Sequence, residues 1–170
     1  MDLGTIFNLI SAFALVTGLV FALIQLRQHR ASRKREAALL LLNSFRTADF
    51  NKALHFIFEL PEGLPYPELE KAYESNADDA YTLGLTWESL GALVCRGEIS
   101  LDLVDDLFSG PIIISWRKLK PIVEHRRREQ GRDTLGEWFQ WLAERMMERE
   151  ADSPPIPAYI QYREWKAKDQ

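Results

Sequence analysis

Residues 86–131 read TWESLGALVCRGEISLDLVDDLFSGPIIISWRKLKPIVEHRRREQG, and they decide the fold class. Gly97 stands where a helix wants a left-handed C′ residue, which predicts a helix from about Asp78 to Arg96. Its apolar residues Tyr81, Leu85, Leu90 and Val94 recur at roughly helical spacing. Ser100 is placed to cap a short helix, LDLVDDLF, ending at Ser109–Gly110. Pro111 opens the next helix, in which Ile112, Trp116, Leu119 and Val123 share a stripe and Gly131 supplies the stop. Pro121 removes one backbone hydrogen bond there and predicts a kink near Arg117. Nothing alternates with the period of a strand, so the class is all-α.

Working outward, Thr134 begins a further helix, TLGEWFQWLAERMMERE, whose face carries Leu135, Trp138, Leu142 and Met146. Towards the N-terminus, Thr47 or Asp49 caps a helix running through Phe58, before the break PEGLPYP at residues 61–67. Pro67, followed by Glu68 and Glu70, suits the first turn of another helix. Residues 153–170 form a tail with Pro154, Pro155 and Pro157, and the aromatics Tyr159, Tyr162 and Trp165. Such a tail docks on its own domain or reaches a neighbouring subunit.

Residues 6–26, IFNLISAFALVTGLVFALIQL, carry no formal charge. A helix needs about 20 apolar residues to cross roughly 30 Å of hydrocarbon, so this run predicts a membrane span. No Lys or Arg precedes it, whereas Arg27, Arg30, Arg33, Lys34 and Arg35 follow it as expected lipid-headgroup contacts. Basic flanks stay inside, so the N-terminus is expected outside and the rest of the chain cytoplasmic, at the inner membrane. Asn8, Ser11, Ala14, Gly18, Ala22 and Gln25 fall on one helical arc about 120° wide. Small residues four apart, joined by polar ones, predict a helix–helix interface in lipid. The expected organisation is a transmembrane anchor at 1–26, a basic juxtamembrane stalk helix at 27–48, a cytoplasmic multi-helix bundle at 49–152 and the tail at 153–170.

The 170 residues are 46% hydrophobic and 27% charged with a net charge of −4, which excludes a disordered chain or a disulfide-stapled mini-domain. The one cysteine, Cys95, forbids an internal disulfide, and a lone thiol is usually buried. Charge is blocked: residues 27–48 hold six Lys/Arg and one acid, 49–106 three and thirteen, and 107–132 seven and two. Blocks in that order are expected to neutralise one another, which argues against nucleic acid as a partner.

No Gly-rich phosphate loop, HExxH, CxxC or GxSxG occurs. His29, His55 and His125 are far apart and read as a headgroup neighbour, a packed or half-exposed residue and a helix-end charge. Asp102, Asp105 and Asp106 share one helix face, and the ordinary reading is an exposed acidic first turn rather than a cation site. Glu144 and Glu148, beside Arg145 and Arg149, form a solvated surface, and Trp116, Trp138 and Trp141 are expected in the core. Arg126, Arg127 and Arg128 are a candidate polyanion patch. No catalytic residue, cofactor or metal is assigned.

The stretch 86–131, with its Gly-turn, short acidic helix and Trp-bearing helix with a basic end, resembles bacterial single-span membrane proteins whose helical cytoplasmic domain has no known function. That resemblance implies architecture alone. The expected function is a membrane-anchored, self-associating module acting as scaffold or signal-responsive regulator, with lipid, further copies and a protein partner as its contacts. The alternatives are an oligomeric pore-forming effector, with phage defence as a special case by analogy, and a tethered metal-dependent enzyme.

Overall fold

In a computed structural model, Thr47 starts the first well-packed helix, its Oγ1 accepting from the Phe50 amide at 3.2 Å. The structure describes Gly4, Phe13, residues 15–26, Glu36, Asn43, Phe45 and residues 47–166. Two units divide the chain, Met1–Arg46 and Thr47–Gln170. In the first, residues 15–26 are helical and exposed throughout. Among the described residues, no helix is long and apolar enough to cross a membrane. The predicted span is described only at Phe13 and residues 15–26, and the basic stalk only at Glu36, Asn43, Phe45, Thr47 and Ala48.

The second unit is a bundle of α1 (Ala48–Glu59), α2 (Tyr66–Ser75), α3 (Ala77–Cys95), α4 (Leu101–Gln130), α5 (Glu137–Asp152) and the short α6 (Ala158–Gln161). No strand occurs among the described residues, so the all-α class stands. α3 is the central element, packed between α1 and α5, while α4 packs on α5, α1 and α2. Trp87 is fully buried at its middle, edge-on to Phe50 with ring centroids 5.5 Å apart. Trp116 of α4 meets Phe139 of α5 in the same way at 5.1 Å. Removing a buried aromatic of this kind costs about 3–5 kcal/mol.

Several helix ends follow the residues that announced them. Pro67 occupies the first turn of α2. Gly97, at φ 72°, closes α3 with the Gly97 amide on the Val94 carbonyl and the Glu98 amide on that of Leu93. Gly131, at φ 61°, ends α4.

Other expectations are corrected. The two helices expected either side of Pro111 are one, α4, of 30 residues and about 45 Å. The helix runs through Pro111 as it does through Pro121, at the loss of one backbone hydrogen bond each. Ser100 occupies the N-cap position of α4 but makes no side-chain capping bond. α5 begins at Glu137 rather than Thr134, because Gly136 is left-handed at φ 65°.

Tyr81 and Leu85 are exposed, and the buried stripe of α3 is Ala80, Leu83, Trp87, Leu90 and Val94. Trp138 and Trp141 are half-buried and stack on each other instead of entering the core, whereas Trp116 is buried. Cys95 is exposed, and so are Tyr159, Tyr162 and Trp165 of the tail.

α3 and α5 approach through Gly91. A Cβ there would lie 2.8 Å from the Trp138 carbonyl carbon and closer still to its oxygen. Gly84, seven residues earlier on the same face, has nothing within 4 Å of the equivalent position. Gly91→Ala is therefore expected to cost about 1–3 kcal/mol by overpacking. Gly84→Ala is expected to stabilise by roughly 0.5–1 kcal/mol through helix propensity. Chemical unfolding of the two variants measures both, and equal effects would refute the assigned packing.

Candidate functional site

Because α5 starts only at Glu137, after the left-handed Gly136, the face of α3 before Gly91 is left open and a cleft of about 380 Å³ forms there. One wall is α3, through Ala80, Tyr81, Gly84, Leu85 and Glu88. The opposite wall is the end of α4, through Leu119, Ile122, Val123, Arg126 and Gln130. Tyr73 of α2, Phe139 of α5, and Arg132, Thr134, Leu135 and Gly136 of the connection complete the lining.

Charged side chains fix this geometry. The half-buried Glu88 accepts from the Phe139 amide at 2.7 Å, capping α5 where Gly136 offers no side chain. Arg127 holds the connection between α4 and α5, donating from Nε to the Leu135 carbonyl at 2.8 Å and from Nη1 to Gln140 Oε1 at 2.7 Å. Lys118 donates to the carbonyls of Ile57 and Phe58 at 3.1 and 2.9 Å, closing the C-terminus of α1.

Beside the cleft runs an aromatic seam between α2 and α4. The Arg126 guanidinium lies 5.1 Å from the centre of the Tyr73 ring, and Tyr66 packs on His125 at 4.7 Å. The Tyr66 hydroxyl donates to Glu70 Oε1 at 2.7 Å. Burial first, then this bond and the charge of Glu70, push the Tyr66 phenol up to about 12. A phenol so strongly protonated is a hydrogen-bond donor at neutral pH, and no base.

The three arginines of the candidate polyanion patch are thus used differently. Arg126 sits at the cleft, Arg127 is tied into the connection, and Arg128 is exposed. Gly18, Ala22 and Gln25 lie on the exposed helical segment 15–26. Asn8, Ser11, Ala14, Arg27, His29, Arg30, Arg33, Lys34 and Arg35 lie outside the described residues.

The expected neutralisation between charge blocks is not how the charges pair among the described residues. Lys52 pairs with Asp79 at 2.9 Å within the acidic block, and Arg149 of α5 takes both Asp102 and Asp105. The basic block instead supplies helix-end and loop contacts through Lys118 and Arg127. With Arg149 on Asp102 and Asp105, that acidic face is an ion-pair site, and no metal-binding group is found among the described residues. His55 is exposed and pairs with Glu59 at 3.1 Å rather than packing.

Sequence reasoning missed Tyr73, Gly84, Glu88, Arg132 and Phe139 as site residues. The usable signal was the spacing of residues 80, 83, 87, 90 and 94, which alternates three and four and places Tyr81 and Leu85 off the core stripe.

The fold and cleft describe an all-α module with a separate apolar N-terminal segment. Residues 12–146 match the family described as Domain of unknown function (DUF4760), and the chain belongs to that family. No curated protein and no solved structure matches it.

Tyr66 gives a test of the seam. The folded chain keeps a proton that a tyrosine of ordinary value, 10.0, would release. The stability Tyr66 contributes is therefore complete below pH 10 and lost as pH rises through about 12. The difference in unfolding midpoint between wild type and Tyr66→Phe is expected to hold steady at lower pH and shrink across that window. A difference independent of pH throughout would refute the coupling to Glu70.

Proposed function

We propose that the protein is a membrane-anchored, self-associating helical module that acts as a scaffold or signal-responsive regulator at the cytoplasmic face, its cleft being the receiving site. The observation that carries this reading is the helical segment 15–26, in which every residue is exposed, Leu15 by 75% and Leu19 by 64%. Each such side chain gains about 1.5–3 kcal/mol when taken out of water. A second support is Thr17, whose hydroxyl donates to the Phe13 carbonyl at 2.8 Å, a local bond that suits a polar group to lipid. The basic residues that follow, Arg27 to Arg35, contribute about 1 kcal/mol each near an anionic surface and favour the inner side.

The exposed Cys95 allows a direct test, since it is the one thiol in the chain. In spheroplasts the full-length protein is expected to stay with membranes through a carbonate wash. A membrane-impermeant maleimide is expected to reach Cys95 only after permeabilisation. Release by carbonate would overturn the anchor, and labelling of intact spheroplasts would overturn the orientation.

Self-association is tested through the small residues of the segment. Gly18→Ile is expected to reduce the oligomer seen by native mass spectrometry in nanodiscs, because a bulky side chain separates the backbones. An unchanged oligomer would remove that face from the interface. A ring that leaks ions, with leak abolished by Asn8→Leu and Gln25→Leu while assembly persists, would establish the pore-forming alternative instead.

A further inference from the structure

We propose that the cleft between α3 and α4 binds a small amphipathic anion, an aromatic or short aliphatic carboxylic acid. Its apolar body would lie against Leu85, Ile122 and Phe139, and its charged group would meet Arg126 and Arg132. This assignment rests on the reading of the cleft as the receiving site and adds the class of ligand.

Size is the first support. At about 380 Å³ the cleft falls in the range of small-molecule sites, about 300–1,000 Å³, and its lining is apolar with a few polar groups at the border. A partner helix, about 10–12 Å across with its side chains, calls for a longer open groove.

Charge is the second support. Among the described residues, neither Arg126 nor Arg132 forms an ion pair. Glu88, the acid in the lining, is turned to the Phe139 amide. Two arginines therefore line the cleft without an ion pair among the described residues, against one carboxylate, Glu88, which is engaged by the α5 backbone. Arg126 is already held against Tyr73, so an arriving carboxylate finds it positioned.

Gly84 is the third support. It lies within a 19-residue helix, where glycine is unfavourable, and the position its Cβ would occupy is open space. Among the described residues packing accounts for Gly91, whereas no packing neighbour lies within 4 Å of a Cβ built at Gly84. A bare wall between Tyr81 and Leu85 keeps the volume that a flat apolar ligand needs.

The test uses full-length protein in nanodiscs, with empty nanodiscs as reference and fluorine NMR line broadening as readout. The probes are fluoronaphthoate and the uncharged fluoronaphthamide. Fluoronaphthoate is expected to broaden with the protein and the amide to bind more weakly. Arg126→Gln should weaken naphthoate binding about tenfold. Gly84→Leu should abolish it without lowering the unfolding temperature.

Equal binding of acid and amide, full binding by Gly84→Leu, or no binding by wild type would each overturn the assignment. If naphthoate fails while a photo-cross-linker at Tyr81 captures another copy of the chain, the cleft receives protein and the anion is refuted. A membrane-pelleting assay on the same chain scores the anchor separately, so binding by a protein that does not pellet would uphold the cleft and remove the anchor.

Discussion

The close approach of α5 to Gly91 is the constraint on which the rest of the bundle depends. Only a residue without a Cβ admits the Trp138 backbone at that point. Once α5 is seated there, the Phe139 amide in its first turn falls beside Glu88, whose carboxylate caps it. The start of α5 is thereby fixed, and the chain must reverse between Gly131 and Gly136, both left-handed. A Cβ at Gly136 would press on Val123, so that turn too is packed against α4. The cleft is the space this geometry leaves over the earlier turns of α3.

Charge works in this fold mainly by closing helices that cannot close themselves. α1 has no basic residue in its last turn, and Lys118 reaches across from α4 to its carbonyls. α5 has a glycine N-cap, and Glu88 reaches across from α3 to its Phe139 amide. Each contact satisfies orphan backbone groups and also ties two helices together at a fixed height. The exposed pairs, such as Lys52 with Asp79, contribute far less for the same count of charges. A sum of charge by block therefore says little here, because Lys118, Arg127 and Glu88 all turn their charge to backbone groups.

Helix existence was legible in the sequence because Thr47, Pro67, Gly97 and Gly131 are local signals whose effect does not depend on distant packing. The fusion across Pro111 was not, since a proline after Ser109 and Gly110 reads locally as the start of a new helix. The core face of α3 was half legible: Leu90 and Val94 are buried, and Tyr81 and Leu85 are not. Hydrophobicity marked all four, and the three-four spacing of Ala80, Leu83, Trp87, Leu90 and Val94 is what separates them. The cleft itself was illegible because it depends on how distant segments meet. Its residues come from four helices and a turn, and Arg126 and Arg127, adjacent in sequence, serve a cleft and a loop.

Two glycines seven residues apart on one helix face thus carry opposite lessons. Seven residues return to nearly the same direction, so Gly84 and Gly91 present the same side of α3. At Gly91 the lost helix propensity is offset by the packing it permits against α5. At Gly84 the chain offers no offsetting contact, and roughly 1 kcal/mol of helix stability is forgone in open space. The same helix face thus closes tightly on α5 at Gly91 and, two turns earlier, leaves the wall beside Tyr81 and Leu85 bare, so that the cleft and the tightest helix contact are set by one row of positions on α3.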